Sequence, residues 1–308
     1  MGISIDAALT AYGQHVTAKG NKPRSVASTL ERLRSVFTGH QHRPVAFGRD
    51  DAGRIWEDYK QRPTRMKKAP AIDTQRNTLH ETRTFMRWCC KKGWSKTAEP
   101  FSDVEVVGQR SRGKDQLDRL DDARRWLGTA LQLGAEGDAG ALAAATALLM
   151  GMRASEVTDR LVKDIDDDGR VLVIPRAKTR AGVRRLRIPE VLQPLLTGLA
   201  RGKEPNDLLF GPNANRWWLR SAVRRICLTA QTPVVSPHGL RGTHATLAVQ
   251  AGVTGDAVAA ALGHESFAVT ASHYAKPEAV LGARTHQIEE SLGLRKFRSG
   301  SAGNRDAA

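Results

Sequence analysis

Residues Ser236–Tyr274 read SPHGLRGTHATLAVQAGVTGDAVAAALGHESFAVTASHY, and the whole chain can be read outward from them. The stretch gathers imidazoles, a guanidinium and a phenol into one helical region. Such groups suit a phosphodiester. Guanidinium groups bind phosphate oxygens in a fork, imidazoles donate to them or move protons, and a phenol can attack phosphorus. His238 and Arg241 stand three apart at the start of a helix and so project to the same side. His244 shares a stripe with Leu240, Leu247 and Ala251, which assigns it to the core. A second helix over 255–262 stops at Gly263, and His264 follows directly. Phe267, Thr270, Ala271 and Tyr274 share a face of a third short helix limited by Pro277. Periodicity alone makes Tyr274 a buried core tyrosine.

Composition narrows the partner. The chain has 308 residues, and 48 Lys and Arg against 32 Asp and Glu give a net charge of +16, so a polyanionic partner is expected. That length favours about two domains. No signal peptide opens the chain, and its longest apolar run, residues 140–152, is far short of the roughly 18 residues a spanning helix needs. No membrane association is expected. Cys89, Cys90 and Cys227 form neither CxxC nor Cys/His ligand spacing, so neither a disulfide framework nor a metal site is indicated, and a cytoplasmic, nucleoid-associated location fits.

The first 97 residues read as helical, with breaks at 20–23, 40–44 and 63–70. Val26, Leu30, Leu33 and Phe37 define the buried side of the second helix. On the fourth, over about 73–92, Arg76, His80, Arg83, Arg87 and Lys91 fall within an arc of roughly 80° beside an apolar face. That basic side reads as a surface for DNA phosphates, with the basic segment KQRPTRMKK at 60–68 adding to it. Residues 98–114, AEPFSDVEVVGQRSRGK, read as a linker.

A second domain follows over 115–295. It begins with an amphipathic helix capped at Asp118 and a buried Ala-rich helix ending at Gly151. Arg153 comes next, with Glu156 three residues on, where a carboxylate can sit beside the guanidinium. Segments 162–165, 170–175 and 183–188 predict a small antiparallel sheet whose last turn holds Lys178, a residue of little weight by itself. Two near-matches fail. Asp164, Asp166, Asp168 and Gly169 open like a calcium loop, but its twelfth position is Pro175. GLARGK, at 198–203, is one residue too short for a phosphate loop. Residues 217–229 form a basic helix, and at least one of Trp217 and Trp218 belongs to the core. Residues 296–308 read as a disordered tail.

GMRASE, AKT, HGLRGTHAT, LGH and a tyrosine ten residues later, in that order, resemble the tyrosine recombinase (phage integrase) family over Arg153 to Tyr274. The helical first domain resembles that family's core-binding domain in shape. The implied fold is mainly α with a small antiparallel β-sheet, a helical core-binding domain preceding a catalytic domain.

The resemblance also implies roles. Tyr274 is the nucleophile that forms a 3′-phosphotyrosyl link, and Arg153, Arg241 and His264 hold the phosphate in the transition state. Lys178 protonates the leaving 5′-oxygen, His238 aids proton transfer at the tyrosine, and Glu156 buttresses Arg153. No cofactor is implied. The partners are double-stranded DNA at a specific site and further copies of the chain in a tetrameric synaptic complex, joined by a terminal helix spanning Ala279 to Leu292. Gly242 stands where the family often has a second histidine, and the interval from His264 to Tyr274 is one residue longer than expected. The rivals are a type IB topoisomerase and a catalytically silent DNA-binding architectural protein.

Overall fold

The computed structural model describes residues 2–64, 68–109, 114–177 and 180–264. The chain divides into two compact units, Met1–Arg112 and Gly113–Ala308.

In the first unit, α1 (Ile5–Ala18), α2 (Pro23–Val36), α3 (Arg49–Gln61) and α4 (Ile72–Lys91) are separated by the three expected breaks. The Ser4 hydroxyl caps α1 by accepting from the Ala7 N–H, and Pro23 opens α2 at a position where no intrahelical donor is lost. Val26, Leu33 and Phe37 are buried, as their spacing predicts. Phe37 sits at the centre, edge-on to Phe47, Phe85 and Phe101. A two-pronged ion pair from Arg32 to Glu81, at 2.8 and 2.6 Å, ties α2 to α4. Phe101 is fully buried and Val104 nearly so. Phe101 and Val104, within the stretch read from sequence as linker, are therefore part of this core.

The second unit is built on α5 (Leu120–Ala135), α6 (Ala139–Leu149), α9 (Arg216–Thr229) and α10 (Pro237–Gln250). Around them lie α7 (Ala154–Thr158), α8 (Gln193–Ala200) and α11 (Gly255–Leu262). Small side chains let α6 run through the middle: Ala141 to Ala145 and Ala147 are buried, and Asp138 caps the helix by accepting from Gly140 and Ala141. The cap of α5 falls on Arg119, one residue beyond the expected Asp118, with no side-chain capping bond.

The sheet is antiparallel in the order β1 (Ile165–Asp166), β2 (Val171–Ile174), β3 (Arg184–Arg187), with Leu172 opposite Leu186. β1 is shorter than sequence predicts because the backbone N–H groups of Val162 and Lys163 donate to Asp207 and Pro205, so 162–164 turns instead of pairing with β2. Asp164, the first residue of the rejected calcium loop, is buried and accepts from Arg160 and the Leu161 N–H. Among the described residues no helix is long and apolar enough to cross a membrane.

Candidate active site

The site begins where α6 ends. Gly151 takes a positive φ of 59°, and a Cβ there would meet His244 at 2.7 Å and Leu262 at 2.8 Å, so both the turn and the packing require glycine. The chain then enters α7 with Arg153 as its N-cap. Glu156, in the first turn, reaches back: its Oε2 accepts from the Arg153 backbone N–H at 2.9 Å, and its Oε1 accepts from Arg153 Nη1 at 2.7 Å. The carboxylate satisfies an orphan helix donor and aims the guanidinium at once.

Arg184, on β3, donates to both oxygens of the same carboxylate, at 3.2 and 3.0 Å. Burial acts to raise the Glu156 carboxyl, but Arg184, the Arg153 N–H and the Arg153 guanidinium outweigh it and hold the group down at about 2. It remains ionised at all physiological pH.

Arg241, on α10, is fully buried. Nη1 donates to the Gly151 carbonyl at 2.5 Å and Nη2 to the Leu262 carbonyl at 2.6 Å. Nη2 also lies 2.8 Å from His264 Nε2, which accepts from it. Arg153 points to the same place, with Nη1 at 3.5 Å from the Leu262 carbonyl and Nη2 at 3.4 Å from that of Gly263. Two guanidinium groups and an imidazole, from α7, α10 and the end of α11, thus converge on the C-terminus of α11. Gly263 makes the junction possible. Its φ of 67° turns the chain out of α11 into His264, and a Cβ on it would meet Arg184 and the backbone of Ala181 and Gly182 at about 3 Å.

His238 lies in the first turn of α10 and is exposed, whereas Arg241 is buried one turn on. Ser236 caps that helix by accepting from the Gly239 N–H. His244 stays out of the constellation, as its stripe predicts. Its Nδ1 lies 2.9 Å from the Leu148 carbonyl, and burial depresses its pKa, aided by the Arg241 charge against the opposing Leu148 bond. Gly242, where the resemblance leads one to expect histidine, packs against the side chain of Gln116, which a Cβ would meet at 2.8 Å. Gln116 in turn accepts from Thr246 Oγ1 at 2.8 Å. Lys178 and Tyr274 lie outside the described residues, as do the third short helix, the terminal helix and the tail.

The basic face of α4 divides. Arg83, read as a DNA contact, instead donates from Nε and Nη2 to the carbonyls of Phe101, Ser102 and Val104, and Arg76 donates to that of Gly108. These guanidinium groups secure the segment after α4, whose irregular backbone offers carbonyls with no other partner in a helix or sheet. Arg87 is exposed and pairs with Glu99 at 3.3 Å, and Lys91 is exposed. On α9, Trp218 packs on the core while Trp217 is 75% exposed beside Arg216, Arg220 and Arg224.

Residues 135–279 match the model of the phage integrase family. That segment is a phage integrase family domain. Its activity is the one these tyrosine recombinases share, site-specific breakage and rejoining of DNA. Solved integrases have the same fold. The Tn1549 transposon integrase in complex with transposon right end DNA is 18% identical, with a TM-score of 0.71 over 94% of this chain and 100% of that one. A lambda integrase dimer bound to a COC′ core site is 14% identical, with a TM-score of 0.65 over 87% and 94%. No curated protein sequence matches this recombinase.

Sequence reasoning missed Arg184. Its signal was the alternation of RRLR on a strand: Arg184 shares a face with Leu186, which packs on the core, whereas Arg185 and Arg187 point away.

Proposed function

We propose that this integrase binds a specific duplex DNA site and exchanges strands through a covalent link between Tyr274 and a 3′-phosphate. The observation that carries the reading is the convergence of Arg153, Arg241 and His264 at the end of α11. Aimed cationic donors in a partly dry site stabilise a five-coordinate phosphorane, whose extra charge appears on the non-bridging oxygens. The Tyr274 phenol oxygen attacks phosphorus and gives its proton toward His238. The bond to the 5′-oxygen breaks, and Lys178 protonates the leaving oxygen. A phenol is mostly protonated at neutral pH, so adjacent cations and a base favour its attack. The phosphotyrosine keeps the linkage activated, so the 5′-hydroxyl of another strand reverses the step without ATP.

Arg87 and Lys91 on α4, with the exposed arginines and Trp217 of α9, contact the DNA backbone. Four copies assemble on paired sites, in the cytoplasm at the nucleoid.

The test starts from a pool of nicked duplexes of randomised sequence. Wild-type protein is expected to capture a subset as adducts that survive SDS, which defines the site, and Tyr274→Phe is expected to capture none. Adduct formation by Tyr274→Phe at the wild-type level would refute the assignment.

A further inference from the structure

Glu156 is 6% exposed, and its two oxygens accept four hydrogen bonds, two from Arg153 and two from Arg184. Arg184 contributes a fork in which Nη1 meets Oε1 and Nη2 meets Oε2, a geometry that fixes the plane of the carboxylate as well as its place. The fork is itself anchored. Arg184 Nε donates to the Ala261 carbonyl at 2.9 Å and Nη1 to that of Gly182 at 2.9 Å, and its side chain is 9% exposed. It therefore joins three elements, the β2–β3 turn, the end of α11 and the start of α7. Arg153, by contrast, is half-buried, and its other contacts, to the carbonyls of Leu262 and Gly263, are long at 3.5 and 3.4 Å. What aims Arg153 is Glu156, and what fixes Glu156 is Arg184.

We propose that Arg184 is a positioning residue for strand cleavage, holding the Glu156 carboxylate so that Arg153 points at the scissile phosphate. This rests on the phosphate-binding role given to Arg153 above. Arg184 does not touch the DNA in this scheme. Lysine offers only a point charge and cannot bridge both oxygens, so it restores part of the effect.

The experiment uses full-length protein and the duplex recovered by adduct selection, under single-turnover conditions. The scissile position carries either a normal phosphodiester or a methylphosphonate, in which one charged oxygen is replaced by methyl. A variant whose defect is failure to meet that charge recovers on the neutral substrate. A variant that is merely misfolded does not. Arg184→Gln is expected to cleave the phosphodiester about 10- to 100-fold more slowly than wild type, the scale of a small misplacement of a reacting group. Its DNA affinity stays unchanged, and much of the rate returns on the methylphosphonate, the pattern also expected of Arg153→Ala. Arg184→Lys falls between wild type and Arg184→Gln with the same recovery, and it decides the matter if Arg184→Gln does not fold.

A wild-type rate on the phosphodiester overturns the proposal. So does an equal loss on both substrates while Arg153→Ala recovers. If wild type forms no adduct, or Arg153→Ala fails to recover, the proposed function is at fault and this inference falls with it.

Discussion

Replacing Glu156 by glutamine removes one charge and almost no volume, so it isolates the electrostatic role of the carboxylate between Arg153 and Arg184. The magnitude follows from the proton. An ordinary carboxyl of this type titrates at 4.5, and here it is held at about 2. That difference corresponds to about 3 kcal/mol of folded-state stability at neutral pH. Deleting one partner of a buried ion pair independently suggests about 3–5 kcal/mol. Because the folded pKa lies below the unfolded one, the contribution is fully present above pH 4.5 and is lost as the pH falls through about 2. Less than half of it remains at about pH 3. Glu156→Gln is therefore expected to lose about 3 kcal/mol relative to wild type at pH 7 and markedly less at pH 3. The assay is amide hydrogen exchange of the full-length protein, read at α6, whose buried amides report opening of the second unit. A deficit below about 1 kcal/mol at pH 7, or one of equal size at both pH values, would show that the carboxylate is not held by its arginines in the way the geometry requires.

Three further outcomes are expected. Gly239→Ala should lower the stability of the second unit by about 2 kcal/mol or more in the same exchange assay, because its Cβ would collide with the backbone carbonyl of Asp115, which cannot swing aside as a side chain can. Arg83→Gln should speed proteolysis within 101–108, since four hydrogen bonds to carbonyls there come from this one side chain. It should change DNA affinity less than Lys91→Gln does. His244→Leu should make stability less sensitive to acid. His244 has a folded pKa below the ordinary 6.5, so as the pH falls through that value the unfolded chain takes up a proton that the fold resists, and stability drops; leucine removes that slope, as urea midpoints between pH 7 and 5 would record.

What the sequence by itself determined was local. The period of α2, the breaks between helices and the glycine stop before His264 depend on neighbours within a turn or two, and their physics is complete in a short window. The exclusion of His244 from the site was legible for the same reason. The order of the motifs was legible too, because each is a short residue pattern. Tertiary structure decided which charges meet. Arg83 and Arg76 lie on a basic face that suits phosphate, yet they bond the carbonyls of 101–108, because a folded irregular segment presents acceptors that no periodicity reveals. A Cβ on residue 242 would meet the side chain of Gln116, far off in the chain, at 2.8 Å, a neighbour no local pattern reveals. Arg184 was one of several arginines on an unremarkable strand until folding brought it within 3.0 Å of Glu156. In Ser236–Tyr274 the sequence placed Arg241 and His264 at the ends of two helices. Only the packing of α10 against α6 and α11 brought them to 2.8 Å of each other, since hydrogen bonds between distant residues are fixed by three-dimensional closure and not by spacing.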